Sequence, residues 1–196
     1  MPPRSAEPVP DTAARERILD AAEELFAETG FDATPTARIA ELARTPKGLL
    51  FYYFPKKIQI LTTLLAERLP VAPLCDLAGI ARRGDVVGSL RRLARRLDLG
   101  RHESVVLRTV LMREVDTHPE VRDHLRRLTR GLTDLTESVL DASVLPPLDP
   151  ELRRDAAMTF VAVMLFDANN RRFDGRQPDL SAAARIVAAG LRPPRD

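Results

Sequence analysis

The chain has 196 residues, 44% of them hydrophobic and 30% charged, enough for one or two small domains around an apolar core. Its formal net charge of +2 is too small to point to a nucleic-acid partner without a clustered distribution. Glycine is scarce, no alternating β-branched run occurs, and no apolar stretch approaches the roughly 20 residues of a membrane span, so an all-α fold off the membrane is expected. The single cysteine, Cys75, cannot close an internal disulfide; it fits a reducing cytoplasm and reads as a small core residue.

Residues 1–10 are proline-rich and read as a disordered tail, with Arg4 but no apolar segment of the kind a signal peptide carries. From Asp11 the pattern turns helical: Ile18, Ala21, Ala22, Leu25 and Phe26 fall on one face, and Gly30 is placed to end the helix. Two short segments with matching start signals follow. Thr34-Pro35 and Thr45-Pro46 each offer a threonine N-cap followed by proline at the first helical position, where the missing N–H costs nothing. The first segment, to about Ala43, presents Ile39, Ala40 and Ala43 to a core. The second, to about Phe54, presents Leu50 and Phe51 or Phe54. Two short helices joined by a tight turn behind a longer helix form a three-helix head, residues 11–55, of the helix-turn-helix type.

The charge distribution singles out the same region. All three lysines (Lys47, Lys56, Lys57) and both tyrosines (Tyr52, Tyr53) lie between positions 47 and 57. From Thr34 to Lys57, Arg38, Arg44 and the three lysines stand against Glu41 alone, a balance of 5 − 1 = +4, whereas residues 1–33 carry 3 − 8 = −5. The head therefore has a basic patch without being basic throughout.

Pro55 ends the second short helix, and a longer one is expected over 57–69, broken by Pro70 and Pro73, with a further helix to Arg83. The remaining body, within 56–191, reads as helices near 86–99, 103–117, 119–142, 150–173 and 179–190. Within it, Arg91, Arg92, Arg95 and Arg96 share one side of a helix, a pattern that fits a solvated face better than an anionic-ligand site. Asn169, Asn170, Arg171 and Arg172 read as the surface end of an apolar helix. His102, His118 and His124 have no metal-ligand spacing, and no His-Glu-x-x-His or Cys-x-x-Cys occurs. No metal or other cofactor is expected. Leu152, Ala156, Phe160, Val163 and Asp167 form one stripe and Ala183, Val187 and Gly190 another, suited to helix packing between two copies of the chain.

Residues 17–61 resemble the N-terminal domain of the TetR family of bacterial regulators. The resemblance rests on Ala21-Ala22-x-x-Leu25-Phe26-x-x-x-Gly30, Ile39-Ala40, Lys47-Gly48, the aromatic ending Tyr52 to Phe54, and Lys57 opening the next helix. It implies a DNA-binding head and a dimerising, ligand-binding body. It also implies that Lys47 works near base edges and that Tyr52, Tyr53 and Lys57 work on the DNA backbone. With Thr36, Arg38, Arg44, Thr45 and Gly48, these make up the expected DNA-binding set. The alternative for one of the two tyrosines is packing against the first helix, and Lys56 reads as solvated.

Several positions depart from the family pattern. Arg44 stands where a turn glycine is usual, so it must tolerate a left-handed backbone or the turn differs. Pro46, Leu49 and Phe51 stand where Ser, Thr and Tyr are common, removing hydroxyls that could reach phosphate.

The resemblance implies a cytoplasmic homodimer on a palindromic operator in double-stranded DNA, acting as a repressor released by a small and mainly apolar effector. Two other readings stay open: an enzyme using a cavity of the body, against which no nucleophile–base pair or phosphate loop can be assembled, and a DNA-binding regulator without a small ligand.

Overall fold

The computed structural model describes residues 12–68, 77–99, 110, 112–145, 147–174 and 180–191, with backbone alone at 170–174. Cys75, the 1–10 tail, Gly100, His102 and most of the expected 103–117 helix lie outside the described residues. Regular structure among the described residues is entirely helical, and no helix there is long and apolar enough to cross a membrane.

The head begins with α1 (Thr12–Thr29), followed by α2 (Thr36–Leu42) and α3 (Lys47–Tyr53). Gly30 closes α1 with φ +92°, its N–H donating to Phe26 O at 3.0 Å, as its C-cap placement required. The cap residues of the two short helices differ from expectation. Pro35 and Pro46 stand at the N-caps, and no side chain caps either helix. Thr34 and Thr45 are buried instead. The Thr34 hydroxyl donates to Gly30 O at 2.6 Å, closing the α1–α2 turn, and the Thr45 hydroxyl donates to Ala43 O at 3.1 Å, bracing the α2–α3 turn. A buried hydroxyl has to find an acceptor nearby, and here the loop carbonyls were nearer than the helix start.

Helix α4 (Lys57–Arg68) packs as a fourth member of the head's core. Its Ile60, Leu61, Leu64 and Leu65 are fully buried with Ile18, Leu19, Phe26, Ile39 and Leu50. Ion pairs fasten its C-terminal end to α1: Arg15 with Glu67, and Arg68 with Asp20 and Glu23. The hydrogen bond from Arg15 holds the Glu67 carboxyl below its ordinary range. Arg68 thus sets one positive charge against the acidic face of α1.

The body consists of α5 (Val86–Leu97), α6 (Pro119–Ser143), α7 (Pro150–Asp174) and α8 (Leu180–Gly190), packed around Leu90, Leu132, Leu140, Phe160, Val161 and Ala184. Asp85 caps α5 by accepting from Gly88 N at 2.8 Å; that bond, with Arg92 beside it, holds the Asp85 carboxyl below its usual range. Arg92 is therefore a structural member of the arginine run, while Arg91, Arg95 and Arg96 are exposed.

The helix expected to reach Arg83 is absent over 77–83, where the chain makes a turn. One turn closes locally, Ile80 N and Ala81 N both donating to Leu77 O, and outside partners take the next groups: Arg92 Nε donates to Ile80 O at 2.7 Å and Arg82 N donates to Ser89 Oγ at 2.9 Å. Groups engaged this way are not free for an i→i−4 ladder.

The head's apolar cluster continues through Val110 and Val121 into the body. The junction is the turn after α1, which lies against residues 114–118.

Candidate nucleic-acid interface

Seven residues make two turns of α3, and only Leu50 is fully buried. Lys47, Gly48, Phe51 and Tyr52, at i, i+1, i+4 and i+5, form one exposed face. A side chain built on Gly48 would meet no atom within 4 Å, so this helix offers a bare backbone patch beside the Lys47 ammonium. Lys47 Nζ lies 5.9 Å from the Phe51 ring and otherwise points away from the core. The helix is held from behind by Leu50 and Phe54, both buried in the head's cluster.

The two tyrosines divide as the packing alternative allowed. Tyr53 is half-buried against the core, whereas Tyr52 is 57% exposed, its ring meeting Tyr53 edge to face at 5.3 Å. Arg44 has φ +50°, in the left-handed region, so it occupies the turn-glycine position and keeps the turn's geometry. The turn closes through Arg44 N to Glu41 O at 3.0 Å and Thr45 N to Ala40 O at 2.9 Å, with the Arg44 side chain exposed. Arg17 of α1 adds a bond to Ala43 O at 3.3 Å, fixing the turn to the first helix. Arg38 is exposed and paired with Glu41 at 3.1 Å, an ion pair too solvated to compete strongly with an incoming phosphate. Thr36 is half-buried at the start of α2.

Lys57 departs from the expected arrangement. Its ammonium donates to Phe31 O at 2.7 Å, Asp32 O at 3.2 Å and Thr34 O at 3.2 Å, and lies 4.4 Å from the centre of the Phe31 ring. An ammonium has three N–H donors, and here all three serve the α1–α2 turn. The sequence placed Lys57 beside the basic patch but could not show that three carbonyls from a loop 23 to 26 residues earlier converge on it.

Arg44 in the turn and Lys47, Gly48 and Tyr52 on the rigidly backed two-turn helix are exposed together beside the basic patch. This stretch and its flanks match, over residues 18–64, the model of bacterial regulatory proteins of the tetR family. The HTH-type transcriptional regulator RutR of Escherichia coli (strain K12) is 30% identical over 150 residues, which is 71% of this chain and 68% of RutR. The chain belongs to the TetR family. It is accordingly a DNA-binding transcriptional regulator with a helix-turn-helix head and a helical body.

The HTH-type transcriptional repressor KstR of Rhodococcus jostii is 40% identical over 53 residues, 27% of this chain and 25% of KstR. Among solved structures, Salmonella enterica GusR superposes with a TM-score of 0.71 at 19% identity, covering 93% of this chain and 97% of GusR, so the fold extends through the body.

One group of residues escaped the sequence reading. Glu114, buried, accepts from Phe31 N at 3.1 Å, and the His118 ring meets Phe31 edge to face at 4.7 Å. These contacts join the turn of the head to the body, between residues too far apart in sequence for spacing to reveal.

Proposed function

We propose that the chain is a homodimeric repressor in which Arg44, Lys47, Gly48 and Tyr52 meet a palindromic operator directly. In this reading Thr36 and Arg38 flank the contact, while Thr45 and Tyr53 hold the reading helix in place and Lys57 holds the α1–α2 turn. The observation that carries the assignment is the exposed face of α3, where the Lys47 ammonium adjoins the uncovered backbone of Gly48. A lysine in the first turn of such a helix reaches base edges in a groove about 12 Å wide. The repressor sense is supported by the likeness of the head to KstR.

The division of labour follows: the head, with α4 packed into its core, reads DNA, and the body of α5 to α8 dimerises and takes the effector. Dimerisation is supported by the outward faces of the last two helices. Met158, Val163 and Phe166 of α7 and Ile186 of α8 are exposed at 53%, 37%, 68% and 72%. Large apolar side chains left exposed on two adjoining helices are surface of the kind a second copy covers. An apolar effector is supported by an open groove of about 670 Å³ between α6 and α7, with Leu125, Val161 and Leu165 along it and Arg126, Arg130 and Arg154 also lining it.

The test is footprinting on DNA upstream of the chain's own gene, followed by binding to the protected palindrome and to a scrambled duplex. Lys47→Ala is expected to cost roughly 1–3 kcal/mol per contact on the operator and less on scrambled DNA. Equal losses on both duplexes would remove Lys47 from base reading.

A further inference from the structure

We propose that Asp32, Glu114 and His118 form a three-ligand site for a divalent transition-metal ion of the zinc type, which pins the turn after α1 to the body. One oxygen or ring nitrogen from each residue lies within 4.8 Å of the others. His118 Nε2 is 3.4 Å from Asp32 Oδ1 and 3.6 Å from Glu114 Oε2. It is closed to solvent and has no hydrogen-bond partner.

Those separations are long for a hydrogen bond, which favours 2.7–3.2 Å, but they suit the edges of a coordination tetrahedron. With bonds of about 2.0–2.1 Å to nitrogen and oxygen, ligand atoms around zinc stand roughly 3.3–3.4 Å apart. Two carboxylates balance the charge of a divalent ion, and a neutral imidazole beside them favours a transition metal over magnesium or calcium.

The ligands are held as a metal site requires. The Glu114 side chain is only 6% exposed, and its other oxygen is fixed by the Phe31 N–H at 3.1 Å. The His118 ring is wedged against Phe31. The Asp32 side chain is 70% exposed, leaving an open side for a water as fourth ligand and a path for the ion to enter. The nearby Lys57 ammonium binds the Asp32 carbonyl rather than its carboxylate, and Arg113 lies by Gly30. Both cations oppose ion binding, which keeps the affinity below that of an all-anionic cage. A regulatory consequence rests on the DNA-binding reading above: an ion held between Asp32 of the head and Glu114 and His118 of the body changes the freedom of the head to meet its operator.

The test is a Co²⁺ titration of the chelator-stripped full chain, followed by visible d–d absorption, with Zn²⁺ as competitor. One Co²⁺ per chain is expected, displaced by Zn²⁺, with affinity falling more than about tenfold in Asp32→Asn and in His118→Gln. Asp32 is exposed, so D32N keeps the fold and remains informative should H118Q prove unstable. Absence of the band in the parent chain, or binding that survives in D32N, overturns the site. Operator affinity is then compared with and without Zn²⁺. A shift in the parent chain that vanishes in D32N supports regulation, and an unchanged affinity removes that role whatever the cobalt data show.

Discussion

Replacing Lys57 with methionine separates two roles that its position alone leaves confounded. Methionine keeps the unbranched stem and removes the charge, so the loss is confined to the ammonium. The 2.7 Å bond to Phe31 O has the length of a charge-assisted hydrogen bond, and bonds to charged groups contribute about 1.5–3 kcal/mol. The contacts to Asp32 O and Thr34 O, both 3.2 Å, are longer and weaker. The Phe31 ring at 4.4 Å adds about 0.5–1 kcal/mol at a partly exposed site. A loss of roughly 2–4 kcal/mol in unfolding free energy is therefore expected, read as a lowered urea midpoint with an unchanged slope. In a salt titration of operator binding by fluorescence anisotropy, the log–log slope should stay at its parent value, because the missing charge was turned to carbonyls rather than phosphate. If the slope instead drops by about 0.9 per protomer while the urea midpoint holds, Lys57 leaves its clamp for a phosphate and the structural assignment is wrong.

Arg44→Gly should leave stability within about 0.5 kcal/mol, because relief of the left-handed backbone offsets the added flexibility of glycine in the unfolded chain. The same variant should flatten the salt dependence of DNA binding by about one unit per protomer; a large loss of stability would make Arg44 a structural residue instead. Phe166→Asp should convert a dimer in dilute solution into a monomer by light scattering, since a buried aromatic side chain contributes about 1.5–3 kcal/mol and a charge opposes burial; a monomeric parent chain at micromolar concentration would refute the interface. His124 is held below its ordinary range by burial and then by Arg127, and its Nε2 is buried without a partner. The unfolded chain therefore takes up the proton first: stability is fully present above the unfolded value of about 6.5 and falls as pH is lowered through that value, by less than about 1.4 kcal/mol per unit. Urea midpoints at pH 7.5 and 5.5 should show this fall in the parent chain and a smaller one in His124→Gln.

The helices were legible because their ends are written in local chemistry. Gly30 ends α1, prolines open α2 and α3, and Pro55 precedes α4, so the expected bounds lie within two residues of those found. The strained turn was legible too, because an arginine where a glycine is usual must adopt φ > 0 if the turn is kept, and Arg44 does. What escaped was decided by how the chain folds back on itself, over a turn for the threonines and over longer spans for the rest. Thr34 and Thr45 look like caps until the carbonyls they meet are known. The stripe through Leu152, Phe160, Val163 and Asp167 straddles a border: Phe160 and Asp167 are buried within the protomer, while Leu152 and Val163 face outward. On α8, Val187 of the second stripe is likewise buried, and Ile186 beside it is the exposed one. Periodicity finds an apolar face but cannot tell which side a second copy covers. Lys57 and His118 belong to the same class, since nothing local to either predicts the turn at Phe31.

The contacts of α4 constrain how a signal from the body can reach DNA. Its first residue clamps the α1–α2 turn, its middle is buried in the head's core, and its last turn is tied to α1 by ion pairs. A helix fastened at three levels moves with the head and not against it. The give must then lie where α4 meets α6 and where Phe31 meets Glu114 and His118, since both places join separate units. An effector can shift the equilibrium only by as much as it distinguishes two arrangements of that junction, typically 1–3 kcal/mol. A few hydrogen bonds and ring contacts, such as those at Phe31, are of that size. The clamp at Lys57 is comparable, and breaking it would cost the head its own shape. A ligand that works on the junction can therefore move the reading helix as a unit, whereas one that had to open the clamp would unfold the surface it regulates.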